Sequence, residues 1–170
     1  MKPKPPALVV ADAGPIIGFA RTNALPWLEK LFQRVLIPEA VAMELRLDSD
    51  MPGAKALAAA RKQGWLRVVP VVELPARLLA VVDDGEAAAI MLAKQRGLPL
   101  LIDERRGRIA ARSEGVPIFG SGAVLLKAKE RKMIRSVRPH LDALAQAQYR
   151  LSPELRAEIL RLAGENETTS

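Results

Sequence analysis

Apolar residues along this chain alternate between short continuous runs and stripes of helical spacing. Leu8-Val9-Val10-Ala11 is a run of four that passes straight into Asp12, followed by Ala13 and a Gly14-Pro15 stop. A continuous apolar run of this length, bounded by turn residues, suits a strand buried on both faces, as in a parallel sheet. Leu98-Pro99-Leu100-Leu101-Ile102 repeats the pattern and again ends in a carboxylate, Asp103. Val35-Leu36-Ile37, the stretch 65–72 (bent at Pro70) and Val116-Pro117-Ile118-Phe119 are further strand candidates.

Between these runs the apolar positions recur at intervals of three and four. A helical turn starts at Ile16, and Leu25, Leu28, Leu31 and Phe32 form one stripe of a helix over 24–33. Pro38 opens a helix reaching about Leu47, with Val41 and Leu45 on one face. An Ala-rich helix over 55–63 stops at Gly64, and Asp83-Asp84-Gly85-Glu86 opens a helix to Arg96 that Gly97 ends. A basic helix spans about 104–114, and Ser121 is placed to cap a helix over 124–132. Segments 138–149 and 153–163 make a closing helical pair, with Ser152 as N-cap and Pro153 at the first helical position. Strands alternating with helices predict an α/β fold: one central parallel sheet flanked by helices on both faces. Residues 1–164 read as a single domain, and 165–170 as a polar tail that frays.

Composition narrows the partners. Forty-nine per cent hydrophobic and 26% charged residues describe an ordinary globular chain. No apolar run reaches the roughly 20 residues of a bilayer span, and no signal-type segment follows the basic Met1–Pro6 stretch, so a cytoplasmic location is expected. With no cysteine there are no disulfides, thiolate metal sites or thiol nucleophiles. The net charge of +7 puts polyanions such as RNA first among partners. No glycine fingerprint of a dinucleotide site and no phosphate loop occurs. His140 is the only histidine, which disfavours two-histidine ribonuclease chemistry and protease triads.

Four carboxylates are the candidate chemistry. Asp12 and Asp103 end buried-type strands, Glu44 borders the apolar face of its helix, and Glu86 lies in the first turn of another. Each has a plain structural role open to it: Asp12 or Asp103 as an N-cap, Glu86 complementing a helix dipole behind an Asp83 or Asp84 cap, Glu44 solvated. In open α/β sheets, however, sites gather at the carboxyl ends of strands, where Asp12 and Asp103 would meet. Several carboxylates packed together repel one another and repel phosphate, so such a cluster calls for a cation. Magnesium, a hard ion that keeps several waters, suits oxygen ligands of this kind.

The ordered set resembles a known family. Leu8–Pro15 with Asp12, Ile37–Leu45 with Glu44, Asp84–Ile90 with Glu86 and Leu101–Glu104 with Asp103 match in order the acidic motifs of PIN-domain proteins. Gly107-Arg108-Ile109-Ala110 and Gly120–Leu126 resemble the PIN-like branch of predicted nucleic-acid-binding proteins. The resemblance covers roughly residues 8–160. It implies a magnesium- or manganese-dependent ribonuclease, a VapC-like toxin of a toxin–antitoxin pair, dimeric and held inactive by an antitoxin. Asp12, Glu44, Glu86 and Asp103 would be its catalytic and metal-binding residues, with Asp12 and Asp103 the direct ligands. One departure stands out: nuclease members typically carry Asp at the third motif, where this chain has Glu86, and Asp84 is a substitute ligand.

On the substrate side, Arg105, Arg106 and Arg108 follow Asp103 and are placed to grip phosphates flanking the cut, unless that face is solvated and pairs with Glu104 and Glu114. Trp65 reads as core, His140 as structural, and Tyr149 as a residue able to stack on bases. Apolar faces near 55–60 and 138–162 suit self-association or a partner. Two other readings remain: a PIN-like nucleic-acid-binding module without cleavage, and an unrelated α/β regulatory or small-molecule domain whose acids are only caps.

Overall fold

The computed structural model describes residues 7–71 and 73–166. The elements in chain order are β1 (Leu8–Ala11), α1 (Ala13–Arg21), α2 (Pro26–Phe32), β2 (Arg34–Pro38), α3 (Glu39–Leu45), α4 (Ala54–Gln63), β3 (Leu66–Val69) and α5 (Ala76–Leu79). They continue with α6 (Asp84–Arg96), β4 (Leu100–Leu101), α7 (Arg105–Ser113), β5 (Ile118–Phe119), α8 (Ser121–Glu130), α9 (Arg138–Gln146) and α10 (Pro153–Leu162). The five strands form one parallel sheet in the order β3-β2-β1-β4-β5.

This order places β1 at the centre, and Val9, Val10 and Ala11 are fully buried, as their uninterrupted apolar run predicts. The chain builds outward from β1 to β2 and β3, then returns to lay β4 and β5 on the other side. The topological switch point therefore falls between β1 and β4, the crevice where open α/β sheets bind ligands. In register, Val10 pairs with Leu100 and Ala11 with Leu101, so Asp12 and Asp103 leave the sheet at the same edge. Helix α6 packs against β1, β2 and β4, which its run of buried Ala87, Ala88, Ala89, Ile90, Leu92 and Ala93 permits.

Several boundaries differ from the pattern-based expectation. The Gly14-Pro15 pair does not stop the chain; α1 begins at Ala13. Proline in the first helical turn loses no hydrogen bond, because the first four amides are unpaired there anyway. Strands β4 and β5 each hold only two residues, although amide bonds from Ile102 to Phe119 and from Asp12 to Leu101, each 3.0 Å, extend the ladder past them. Strand β3 ends before Pro70, and Val72 lies outside the described residues, as does the basic Met1–Pro6 stretch. The short α5 carries no periodic signal in the sequence and emerges only in the structure.

The tail expected to fray from Glu165 is anchored there. Its carboxylate accepts hydrogen bonds from Lys129 Nζ (2.6 Å), the Ser136 hydroxyl and the amides of Val137 (2.8 Å) and Arg138 (3.1 Å). Residues 167–170 lie outside the described residues. The apolar faces offered for self-association are mostly used within the chain: Leu57, Ala60, Leu141, Leu144, Ile159 and Leu160 are buried in its own core. Trp65 is core, 5% exposed, and His140 meets Trp27 edge-on at 4.6 Å. Among the described residues, no helix is long and apolar enough to cross a membrane.

Candidate active site

The carboxyl edge of the sheet gathers acids from four segments. Asp12 leaves the end of β1 at the N-cap position of α1, yet its side chain makes no capping bond to that helix beyond a contact with the adjacent Ala13 amide. Glu86 and the N-cap Asp83 form a capping box at the start of α6: the Glu86 amide donates to Asp83 Oδ1 at 2.8 Å, and the Asp83 amide to Glu86 Oε2 at 3.2 Å. The cap therefore turns Asp83 and Glu86 toward each other at the positive end of a 13-residue helix. Glu44 reaches the same place from α3 over bare backbone, since a Cβ on Gly85 would overlap its Oε1. Gly107 plays a similar part for Glu86, whose Oε1 would lie 3.1 Å from a Cβ there.

Asp12 and Glu86 are 7% and 8% exposed, low values for charged groups. Burial, together with the nearby charges of Glu44, Asp83 and Asp103, pushes the Asp12 carboxyl up to about 7 against one hydrogen bond from the Ala13 amide. Burial and the charges of Asp83, Asp12 and Glu104 push Glu86 up to about 7 as well, against the bond from Asp83. Glu44 is raised by partial burial and by Asp83. Among the described residues, none of these acids has an ion pair with Lys, Arg or His. The chain carries 26 Lys and Arg, yet among the described residues none of them comes into ion-pair contact with these acids.

Asp103 stands differently. The cap of α7 is Glu104, which accepts from the Gly107 amide at 2.9 Å, so Asp103 is not needed there. It reaches instead across to α8. Oδ1 accepts the Ser121 amide at 2.8 Å, and Oδ2 accepts the hydroxyls of both Ser121 and Tyr149. Ser121 is therefore the first residue of α8 and not its cap; the capping acceptor comes from the end of β4.

The expected residues thus share one edge, and Asp83 joins them, although its sequence signature is that of a cap alone. The spacing Asp83-x-x-Glu86 is the available signal, because a capping box turns the cap toward the third helical residue. Asp84, the substitute ligand, is exposed and does not figure among the charges acting on Asp12, Glu44 or Glu86. Among the described residues, no three carboxylate or histidine side chains come close enough to grip one metal ion directly. The donor set fits a hard divalent cation in chemistry: all oxygen, mutually repelling and unpaired. Its open spacing fits an ion that keeps most of its own water.

The basic segment separates into two kinds. Arg105 and Arg106 are exposed, whereas Arg108 Nη1 donates to the Ile102 carbonyl at 2.8 Å and braces the loop beside Asp103. Arg108 is thus held to the backbone through one of its five donors, unlike its exposed neighbours. Glu114 pairs with Arg77 and Lys94 at 2.8 and 2.7 Å, not with α7 arginines. A cleft of about 460 Å³ runs from Asp83, Glu86 and Glu104 to Arg106, so one arginine borders the acids directly. Tyr149 is half-buried and its hydroxyl donates to Asp103.

A family model described as PIN domain matches residues 8–165. No curated protein matches the chain. Among solved structures, a domain of a functionally unknown protein from Methanocaldococcus jannaschii is 22% identical with a TM-score of 0.46, covering 66% of this chain and 89% of that one.

Proposed function

Since the chain belongs to the PIN-domain family across residues 8–165, whose members are generally nucleases, we propose that it is a magnesium- or manganese-dependent endoribonuclease. In this reading it hydrolyses RNA phosphodiesters at the carboxyl edge of the sheet. The observation that carries the proposal is the pair of buried acids Asp12 and Glu86, without an ion-pair partner among the described residues and with Glu44, Asp83 and Asp103 beside them. Burial and neighbouring carboxylates push both up to about 7. An acid cluster without a cation is unfavourable and repels phosphate, so its retention beside a basic surface needs a function.

Asp12 is the first direct ligand, short and rigidly held at the strand end. Asp103 is the second, and Glu44, Glu86 and Asp83 act through water. A divalent cation bound there would neutralise the cluster, acidify an attacking water and polarise the phosphoryl group. Arg105 and Arg106 hold the flanking phosphates, which sets position without reading bases. A toxin held by an antitoxin, acting as a homodimer, belongs to the same reading. Co-expression with the product of an adjacent short reading frame would then relieve growth arrest.

A second reading, RNA binding without cleavage, has one observation in its favour: no three acids among the described residues grip one ion directly. Incubation with a pooled RNA separates the two. With magnesium in excess, cleavage is expected, and EDTA abolishes it. Asp12→Asn keeps size while removing charge, and should lower the rate by more than about 100-fold, since loss of even an outer partner costs 10–100-fold. Cleavage indifferent to both EDTA and Asp12→Asn would refute the metal-dependent reading, and metal-independent RNA binding with no cleavage would establish the second.

A further inference from the structure

Asp103 is gripped by more donors than a metal ligand at a strand tip requires. A carboxylate offers about four lone-pair directions. Here Oδ1 has accepted one bond, from the Ser121 amide, and Oδ2 two, from the hydroxyls of Ser121 and Tyr149. The direction left open is on Oδ1.

The position of Tyr149 is built by local backbone geometry. Helix α9 ends in a Schellman motif: the Gln148 amide donates to Ala145 at 3.0 Å, and the Tyr149 amide to Leu144 at 2.9 Å. Gln148 adopts φ of +63°, a left-handed conformation unfavourable for a non-glycine residue. The ring then lies on α1, where a Cβ at Gly18 would stand 3.1 Å from Tyr149 Cγ and 3.2 Å from Leu144 Cδ2. Gly14, two residues after Asp12, meets the same ring, with the hydroxyl 3.6 Å from where a Cβ would be. One side chain from the segment between α9 and α10 thus touches both the helix that follows the first acid and the carboxylate of the last.

We propose that Tyr149 is a positioning residue whose hydroxyl fixes Asp103 for single-oxygen ligation of a divalent cation through Oδ1, so that docking of the C-terminal helical pair sets the cation affinity of the site. The inference rests on the metal-dependent reading above. It is separable from ring packing, because phenylalanine keeps the ring carbons against Gly14 and Gly18 and removes only the hydroxyl.

The test is calorimetric titration of the metal-free full chain with manganese, for the parent and for Tyr149→Phe. The variant should bind manganese about 10-fold or more weakly, the usual cost of losing an outer partner, with its metal-free melting temperature little changed. In RNA cleavage, the half-saturating manganese concentration should rise by the same factor while the rate at saturation returns to near the parent value. Gly18→Ala, which displaces the ring and its hydroxyl together, provides an independent variant should Tyr149→Phe fold poorly: it should also bind manganese more weakly, here with a lower metal-free melting temperature. Equal manganese affinity in parent and folded variant overturns this inference and leaves the proposed function standing. A parent chain that binds no manganese overturns the metal-dependent reading and this inference with it.

Discussion

Two groups of carboxylates in this molecule face opposite circumstances. Glu165 gathers Lys129, Ser136 and two amides at the start of α9 and, although burial works against it, falls to about 2; Glu114, held by Arg77 and Lys94, also falls to about 2. Asp12 and Glu86, buried with like charges and no cation, rise to about 7. The first group joins elements: Glu165 ties α8 and α9 to the chain beyond α10, and Glu114 ties α7 to α5 and α6. The second joins nothing that a neutral side chain could not join as well. Placing acids where they are satisfied was open to this chain, with its excess of basic residues, so leaving others unsatisfied at one edge marks that edge for a ligand of opposite charge.

The largest test of this contrast concerns which acid of the third motif matters. Glu86→Ala should lower magnesium-dependent cleavage by about 10-fold or more, as expected for a group acting through water, whereas Asp84→Ala should leave the rate within about twofold, the change expected of a surface substitution away from the site. The reverse result would move the cluster two residues toward the start of α6 and undo the distinction between the buried Glu86 and the exposed Asp84.

A second test uses pH. In the unfolded chain Asp and Glu titrate near 4. Asp12 and Glu86 titrate at about 7 when folded. Between those values the folded state keeps protons that the unfolded state has released, so metal-free stability falls as pH rises from about 4 to 7. Glu114 and Glu165 are depressed, so their contribution is present above about 4 and is lost as pH falls toward about 2. The metal-free melting temperature should therefore peak at about pH 4–5. Magnesium should raise it far more at about pH 8 than at about pH 5, because only the ionised cluster recruits the ion. A magnesium effect of equal size at both pH values would break the comparison.

The smallest effect lies with the arginines. Replacing Arg105 and Arg106 by Ala should reduce the salt dependence of RNA binding, by a slope of about 0.7 for each single-strand phosphate no longer neutralised. Arg108→Ala should instead lower the melting temperature, because it removes the bond to the Ile102 carbonyl. An unchanged slope in the double variant would show that the exposed arginines face away from the strand.

What is legible before folding follows from range. The parallel sheet, the pairing of β1 with β4 and the shared edge of Asp12 and Asp103 can be read because each depends on a local apolar run and its last residue. Caps at Asp83, Gly97 and Ser152 can be read because their partners lie within three or four residues. The grip of Tyr149 on Asp103 spans 46 residues, and that of Lys129 on Glu165 spans 36, and neither end carries a local mark of it. Arg108 eludes a sequence reading for a related reason. On a helical projection it shares the basic character of its neighbours, but the turn from β4 into α7 brings its guanidinium back onto the chain. The start of α1 is hidden because Gly-Pro punctuates in most contexts and is tolerated in a first helical turn.

The strand order β3-β2-β1-β4-β5 has a consequence for synthesis. The centre of the sheet is made first, but its neighbour β4 and the brace on Asp103 come from residues 100–149. During translation Asp12, Glu44 and Glu86 leave the ribosome well before Asp103, Ser121 and Tyr149 do. Pairings of such sequence separation close late, because loop entropy must be overcome before they contribute. This connectivity withholds a complete acid edge until Tyr149 has been made.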